Sequence, residues 1–321
     1  MNLPPLPTAT AKSAATRRRQ QLAMAVLLLL IAVVGCTSQL SWLRSWSERV
    51  PHSPLLTIST TPTHSATELS QGSGRSVGCC TEATPPRVIE PVPQTLLDKL
   101  RAASPQWLTV GESVEARPIE ALIVGQGEHR VLLIGGIHGD EPEGLPLIEW
   151  FTEELRANAE LTRGVQVLVV RNLNPDGTVA KQRTNKNGVD LNRNFPAANW
   201  DATAKTPRFH PGPQPESEPE TRIAVRLIRD FQPERVLVMH ATVGKPMNNY
   251  DGPGRELAQS LKQFNGYAVT DTIGYPTPGS LGSWVGTDLS TPIITLELPR
   301  RIAADKAWAA NKFALRQMLT F

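Results

Sequence analysis

The chain has little cysteine, no internal repeat and no stripe of one charge. Its three cysteines, Cys36, Cys79 and Cys80, all fall in the first ninety of 321 residues. Neighbouring cysteines bridge each other only with difficulty, so Cys79 and Cys80 are given no catalytic role. Pairing between chains in an oxidising compartment is what stays open to them. The formal charge of +3 falls to about −1 once residues 1–36 are set aside, because they hold four basic residues and no acid. With no basic face left, nucleic acid is excluded as a partner. Histidine is also sparse, with six in the chain, which makes the position of each one informative.

What the N-terminus does contain is directional. Lys12, Arg17, Arg18 and Arg19 precede the apolar run 22–34, followed by Gly35 and Cys36. A positive region, an apolar stretch of secretory length and a small residue before a cut site make an export signal. "VVGC" resembles a bacterial lipoprotein box, with Cys36 as the lipidated mature N-terminus. An uncleaved anchor reaching Leu43 is the other outcome, although Thr37, Ser38, Gln39 and Ser41 interrupt it and leave it short for a span. A plain signal peptide is the third. All three export the protein and the first two tether it to a membrane. Residues 37–90, with "TISTTPTHSATELSQGSGRS", lack apolar periodicity and read as a disordered Ser/Thr/Pro-rich tether.

Residues 91–321 carry the periodic patterns of one folded unit, long enough for one substantial core. "TLLDKLRAA" and "EGLPLIEWFTEELRAN" have helical spacing. "RPIEALIVGQGEHRVLLIGG" holds two strand-like runs joined by a Gly-containing turn. "GVQVLVVRNLNPDG" is a strand running into an Asn-Pro-Asp-Gly turn. In "SEPETRIAVRLIRDF", Ser217 and Glu220 have the spacing of a capping box ahead of a helix. "RVLVMH" and "TPIITLELP" are buried strands. Alternating strands and helices predict a single α/β domain with a mixed, mostly parallel sheet flanked by helices.

The strand ends are loaded with ionisable or amide groups: His138 and Glu141, Asn174 and Asp176, His240, and Glu297. Two imidazoles and one carboxylate make an open zinc site whose fourth position is left for water. In His-x-x-Glu at a bend, both side chains can turn to one ion while a distant strand supplies the third ligand. His52 and His64 lie in the tether, His129 in a turn and His210 in a Pro/Gly loop. Read singly, His240 is an ordinary core histidine and Arg193 a surface ion pair. The joint pattern favours a metal centre.

The segments "GGIHGDEPEG", "NLNPDG", "RTNKNGVDLNRNFP", "SEPET", "VLVMHA", "YPTPGSLGSW" and "ITLELP", in this order, resemble the zinc carboxypeptidases of the carboxypeptidase A-like family. The resemblance covers about residues 110–299, and "GVDLNRNFP" is its most specific piece. "SEPET" with "YPTPGSLGSW" looks most like the family's murein peptide amidase branch, whose members cut γ-D-glutamyl–diaminopimelate bonds of cell-wall peptides. The resemblance implies one Zn²⁺ per chain on His138, Glu141 and His240, with hydrolysis of a C-terminal amide by a zinc-activated water. It makes Asn192 and Arg193 the clamp for the substrate's terminal carboxylate, a task suited to a planar guanidinium fork. Arg183 becomes the group that polarises the scissile carbonyl, Glu297 the general base, and Asp190 the carboxylate behind the first zinc histidine. Tyr275 has the spacing of the tyrosine that closes over substrate, and Gly282 that of the side-chain pocket floor. A glycine there leaves room for a longer polar side chain, whose charges need polar partners nearby. One departure is Ala241, where the family commonly has serine after the second histidine.

Two other readings compete. A zinc deacylase of the succinylglutamate desuccinylase/aspartoacylase type shares an "HGxE"-like site, but the long downstream segments and export oppose it. A non-catalytic lipoprotein that binds wall peptides predicts a lost ligand or base, and none is missing. The expected partners are therefore a peptide substrate, in the first instance a murein peptide, and a membrane held through the N-terminus.

Overall fold

The computed structural model describes residues 95–203 and 206–320. The export segment, the tether and the three cysteines lie outside the described residues, as do His52 and His64. Among the described residues no helix is long and apolar enough to cross a membrane.

Eight strands build one sheet: β1 (Leu108–Glu112), β2 (Pro118–Val124), β3 (His129–Ile134), β4 (Val165–Val170), β5 (Arg235–Thr242), β6 (Met247–Asp251), β7 (Ala268–Thr270) and β8 (Ile293–Pro299). Their order across the sheet is β1-β2-β4-β3-β5-β8-β6-β7. The central four, β4, β3, β5 and β8, run parallel, whereas β2 joins β4 and β6 joins β8 antiparallel. Among the described residues six α-helices accompany them: α1 (Leu96–Ala103), α2 (Leu145–Ala157), α3 (Pro175–Ala180), α4 (Pro219–Phe231), α5 (Arg255–Asn265) and α6 (Ala304–Thr320). The mixed α/β sheet flanked by helices is the architecture expected from the sequence.

A strand sends alternate side chains to opposite faces, and here both faces are covered. Val131 and Leu133 of β3 join a core with Phe151 and Leu155 of α2, Leu257 of α5 and Leu315 of α6. Leu132 and Ile134 join a second core with Leu100 of α1 and Ala224, Ile228 and Phe231 of α4. Strands sandwiched in this way read as continuous apolar runs. Each fully buried aliphatic side chain contributes about 1.5–3 kcal/mol, so the central strands are the rigid base on which the loops at their carboxyl ends stand.

The two strand-like runs form β2 and β3, joined by a turn holding Gly125 and Gly127, with β4 between them in the sheet. Two local expectations are corrected. "NPDG" is the first turn of α3, with Asn174 as its cap accepting from the Gly177 N–H. The capping box of α4 does not form. Pro219 occupies the first helical position behind Glu218, and Glu220 instead accepts from the Val114 N–H and Asn185. A capping box does occur at α1, between Thr95 and Asp98.

Candidate metal centre

In open parallel sheets, ligands bind beyond the carboxyl ends of the strands, and the chemistry-bearing residues collect there. β5 and β8 pair in a register that sets His240 opposite Glu297. The loop after β3 brings His138 and Glu141 alongside them. Two glycines allow that loop its path. Gly136 has φ +66°, a conformation that costs glycine little. A side chain at Gly139 would collide with the backbone of Gly177 in α3.

His138, Glu141 and His240 are all buried, and one donor atom from each lies within 4.8 Å of the others. His240 Nδ1 is 2.9 Å from Glu141 Oε2. His138 Nδ1 stands 3.2 Å from the same oxygen but lacks the alignment of a hydrogen bond, so it is a buried nitrogen without a partner among the described residues. The other face of that ring explains its state. His138 Nε2 lies 2.9 Å from Asp190 Oδ1, which holds the ring proton there and leaves the Nδ1 lone pair for an ion. Burial alone would raise the pKa of Glu141 and Asp190. His138 instead holds both well below the usual carboxylate range, with His240 adding to this at Glu141 and Arg183 at Asp190. Two imidazoles, an ionised carboxylate and an orphaned nitrogen fit one zinc ion at an open site. Ala241 does not disturb it, since its backbone N–H donates to Glu141 Oε2 at 3.1 Å.

Asp190 ties the centre to its surroundings. Its second oxygen accepts from Arg183 Nε at 2.9 Å, and Arg183 also reaches Glu141 Oε1 at 3.3 Å. Asp190→Asn keeps the volume but removes the charge that orders the His138 ring. Zinc affinity in this variant is expected to fall by about 10- to 100-fold, measured by competition with a chromophoric chelator. Unchanged affinity would contradict the role given to Asp190.

A cleft of about 260 Å³ opens over the three ligands and is lined also by Arg183, Asn192, Arg193, Tyr275 and Glu297. Arg193 is buried, and the Phe209 ring covers both its guanidinium and that of Arg183 at 5.3 Å from the ring centre. Desolvation lowers the pKa of Arg193, with the positive charge of Arg183 adding to this. An incoming anion would relieve both. The Asn192 oxygen is held by the Leu281 N–H at 2.9 Å, which leaves its donor end for a ligand. Burial raises the pKa of Glu297, and neighbouring Glu141 pushes the same way, making it a better proton acceptor than a surface carboxylate. Tyr275 is exposed at the mouth and packs on Phe209.

Some expected residues fall elsewhere. Asp176 is bound by Ser113, the Glu115 N–H and Arg117, so it secures the β1–β2 turn. His129 pairs with Glu234 at the surface, and His210 accepts from the Gly212 N–H. Gly282, expected at the floor of the side-chain pocket, has the Asp251 carboxylate beside it. It starts a π-helical segment, Gly282–Asp288, is not among the residues lining the cleft, and any side chain there would collide with the Asp251 carboxylate. Asp251 is the residue that the sequence reading missed. Burial, with Asp271 nearby, raises its pKa to about 6. Arg208 and Arg300, which also line the cleft, were missed too.

A mixed α/β sheet with a buried His-Glu-His cluster that could hold one zinc ion beyond the carboxyl ends of its strands is the arrangement of a zinc-dependent hydrolase. The chain belongs to the zinc carboxypeptidase family, which matches residues 94–268. That span contains the three ligands and Arg193 and ends before Tyr275 and Glu297. Murein peptide amidase A of Escherichia coli is 36% identical over 200 residues, covering 59% of this chain and 78% of that protein. The crystal structure of murein-tripeptide amidase from Escherichia coli O157 superposes with a TM-score of 0.55 at 32% identity, covering 68% of this chain and 92% of the other. Carboxypeptidase A from Helicoverpa armigera shares the fold, with a TM-score of 0.58 at 18% identity over 70% of this chain and 71% of its own.

Proposed function

We propose that this enzyme is an exported, membrane-tethered amidase that releases diaminopimelate from γ-D-glutamyl–diaminopimelate peptides of the cell wall. The observation that carries the reading is that metal ligands, Glu297, Arg183 and Arg193 all line one cleft. His138, Glu141 and His240 would hold a zinc ion, which would supply Lewis acidity and lower the pKa of the attacking water. The chain's own groups do the rest. Arg193, with the Asn192 amide, holds the terminal carboxylate and so sets which bond is presented. Arg183, fixed by Asp190, donates to the oxygen that gains negative charge as the carbonyl is attacked. Glu297 takes the proton of the attacking water and returns it to the leaving nitrogen. Export and tethering rest on the basic and apolar pattern of residues 1–36.

Support for a charged terminal side chain comes from Asp251. Its carboxylate lies beside Gly282 in a hollow of about 400 Å³ that shares Ile273 and Tyr275 with the catalytic cleft and also holds Asp271. An ammonium on the substrate's side chain would pair with these acids, whereas an apolar side chain would cover the half-buried Asp251 carboxylate without offering it a partner. The relatives named murein peptide amidase A point the same way.

The test is a comparison of kcat/KM for a γ-D-glutamyl–diaminopimelate peptide and the same peptide ending in leucine. Preference for the diaminopimelate peptide is expected, and preference for leucine would overturn the wall-peptide reading. A carboxyl group with a pKa of about 6 is ionised above that pH and neutral below it. The preference should therefore be full near pH 7.5 and fade as the pH falls through 6. In Asp251→Asn it should drop by about tenfold or more and lose this pH dependence. A preference that keeps its size and pH profile in the variant would exclude Asp251 as the partner.

A further inference from the structure

The catalytic cleft has two differently built ends. One end, at Tyr275 and Ile273, leads to the Asp251 hollow. The other end shares Thr242, Val243 and Arg300 with a second hollow of about 680 Å³, completed by residues that include Gly244, Pro299 and Arg301. With a terminal carboxylate on Arg193 and the leaving side chain toward Asp251, the acyl half of the substrate must extend from the metal toward this second end.

The charges there are unusual for a site that meets only a peptide backbone. Arg208 and Arg300 both line the catalytic cleft, and both pair with a single carboxylate. Asp140 Oδ2 is 3.4 Å from Arg208 Nη2 and 3.1 Å from Arg300 Nη2. Arg300 also donates to the Asp140 carbonyl, and Glu143 lies 3.9 Å away. Glu143 in turn accepts from the backbone N–H of Arg301. Arg208 and Arg300 thus share the one Asp140 carboxylate where the catalytic cleft meets this hollow. Of this pair Arg300 is the more enclosed, with its side chain 24% exposed against 51% for Arg208. Three residues after Glu297, it sits at the end of the strand that carries the base. Its backbone N–H is anchored on the Thr242 carbonyl.

We infer that Arg300, flanked by Arg208, is a specificity residue for a carboxylate on the acyl residue of the scissile amide. An ordinary α-linked residue offers none there unless its side chain is acidic. A γ-linked glutamyl residue leaves its α-carboxylate free, three carbons from the scissile carbonyl. Of the substrate's carboxylates, the terminal one then falls to Arg193 and the glutamyl α-carboxylate to Arg300, both of which line the cleft. A guanidinium suits this because its fork binds a carboxylate at two points. This inference rests on the carboxypeptidase reading and goes beyond it by assigning recognition of the acyl half.

The test uses three peptides with the zinc-loaded full chain. These are L-alanyl-γ-D-glutamyl–diaminopimelate, its analogue with the glutamyl α-carboxylate converted to a carboxamide, and a peptide with a neutral α-linked acyl residue. Wild type should favour the free carboxylate over the carboxamide by about tenfold in kcat/KM, as expected for one charge-assisted bond. Arg300→Met should erase that preference, losing about tenfold more in kcat/KM on the free-carboxylate peptide than on the carboxamide, and Arg300→Lys should restore part of it. Arg208→Met, which disturbs less of the Asp140 loop, should narrow the preference without changing zinc content. Equal losses on all three peptides in Arg300→Met, with Arg208→Met unaffected, would reduce Arg300 to a strut for the metal loop and overturn the assignment. So would a wild type indifferent to the carboxamide. Failure of wild type to release the terminal residue from any of the three would instead overturn the proposed function, and this inference with it.

Discussion

Glu297→Gln is expected to fold, bind zinc and bind substrate as wild type does, yet lose about 10²–10⁴-fold in kcat. The amide has nearly the shape of the carboxylate but cannot accept a proton. Glu297 has no part in the ligand set, which consists of His138, Glu141 and His240. Its backbone in β8 is held by pairing with β5 and β6, so the substitution leaves the strand undisturbed. The measurements are zinc content by metal analysis and steady-state kinetics, and KM should move far less than kcat. Turnover near the wild-type rate would mean that another group takes the proton. Among the residues lining the cleft, the remaining carboxylate is Glu141, which is committed to the metal.

His240→Ala should abolish tight zinc binding and with it activity. Two of three ligands remain, and the buried Glu141 carboxylate loses its 2.9 Å partner. The fold should survive, because β5 is held by the cores on both sides through Val236, Leu237, Val238 and Met239. Dialysis against a chelator followed by metal analysis reads the effect, with circular dichroism as the control for folding. Full zinc retention in a folded variant would remove His240 from the metal site.

The sequence made the central strands and the ligands legible for separate physical reasons. β3, β4, β5 and β8 are covered on both faces, so they appear as unbroken apolar runs that no surface element imitates. His138, Glu141 and His240 stand where such runs stop, which is where side chains leave the sheet. The rest was hidden by context. β1, β6 and β7 are short and only partly buried, so they lack a period to detect. Asp251 precedes "GPG" and reads as a turn residue, because its burial depends on the π-helical segment packed against it. Gly282 was placed by spacing, and that same segment turns its backbone onto Asp251. Arg208 and Arg300 meet only through Asp140, 160 positions before Arg300 in the chain, and no local pattern records such a pairing.

The most direct test of the account is a zinc titration of metal-stripped protein, following release of the terminal residue from the γ-D-glutamyl–diaminopimelate tripeptide by mass spectrometry. Release should begin from a negligible rate, rise in proportion to bound zinc and saturate at one ion per chain. The only products should be free diaminopimelate and the shortened peptide. Undiminished release by protein shown to hold no metal would contradict the account, and so would cleavage at any bond other than the C-terminal one.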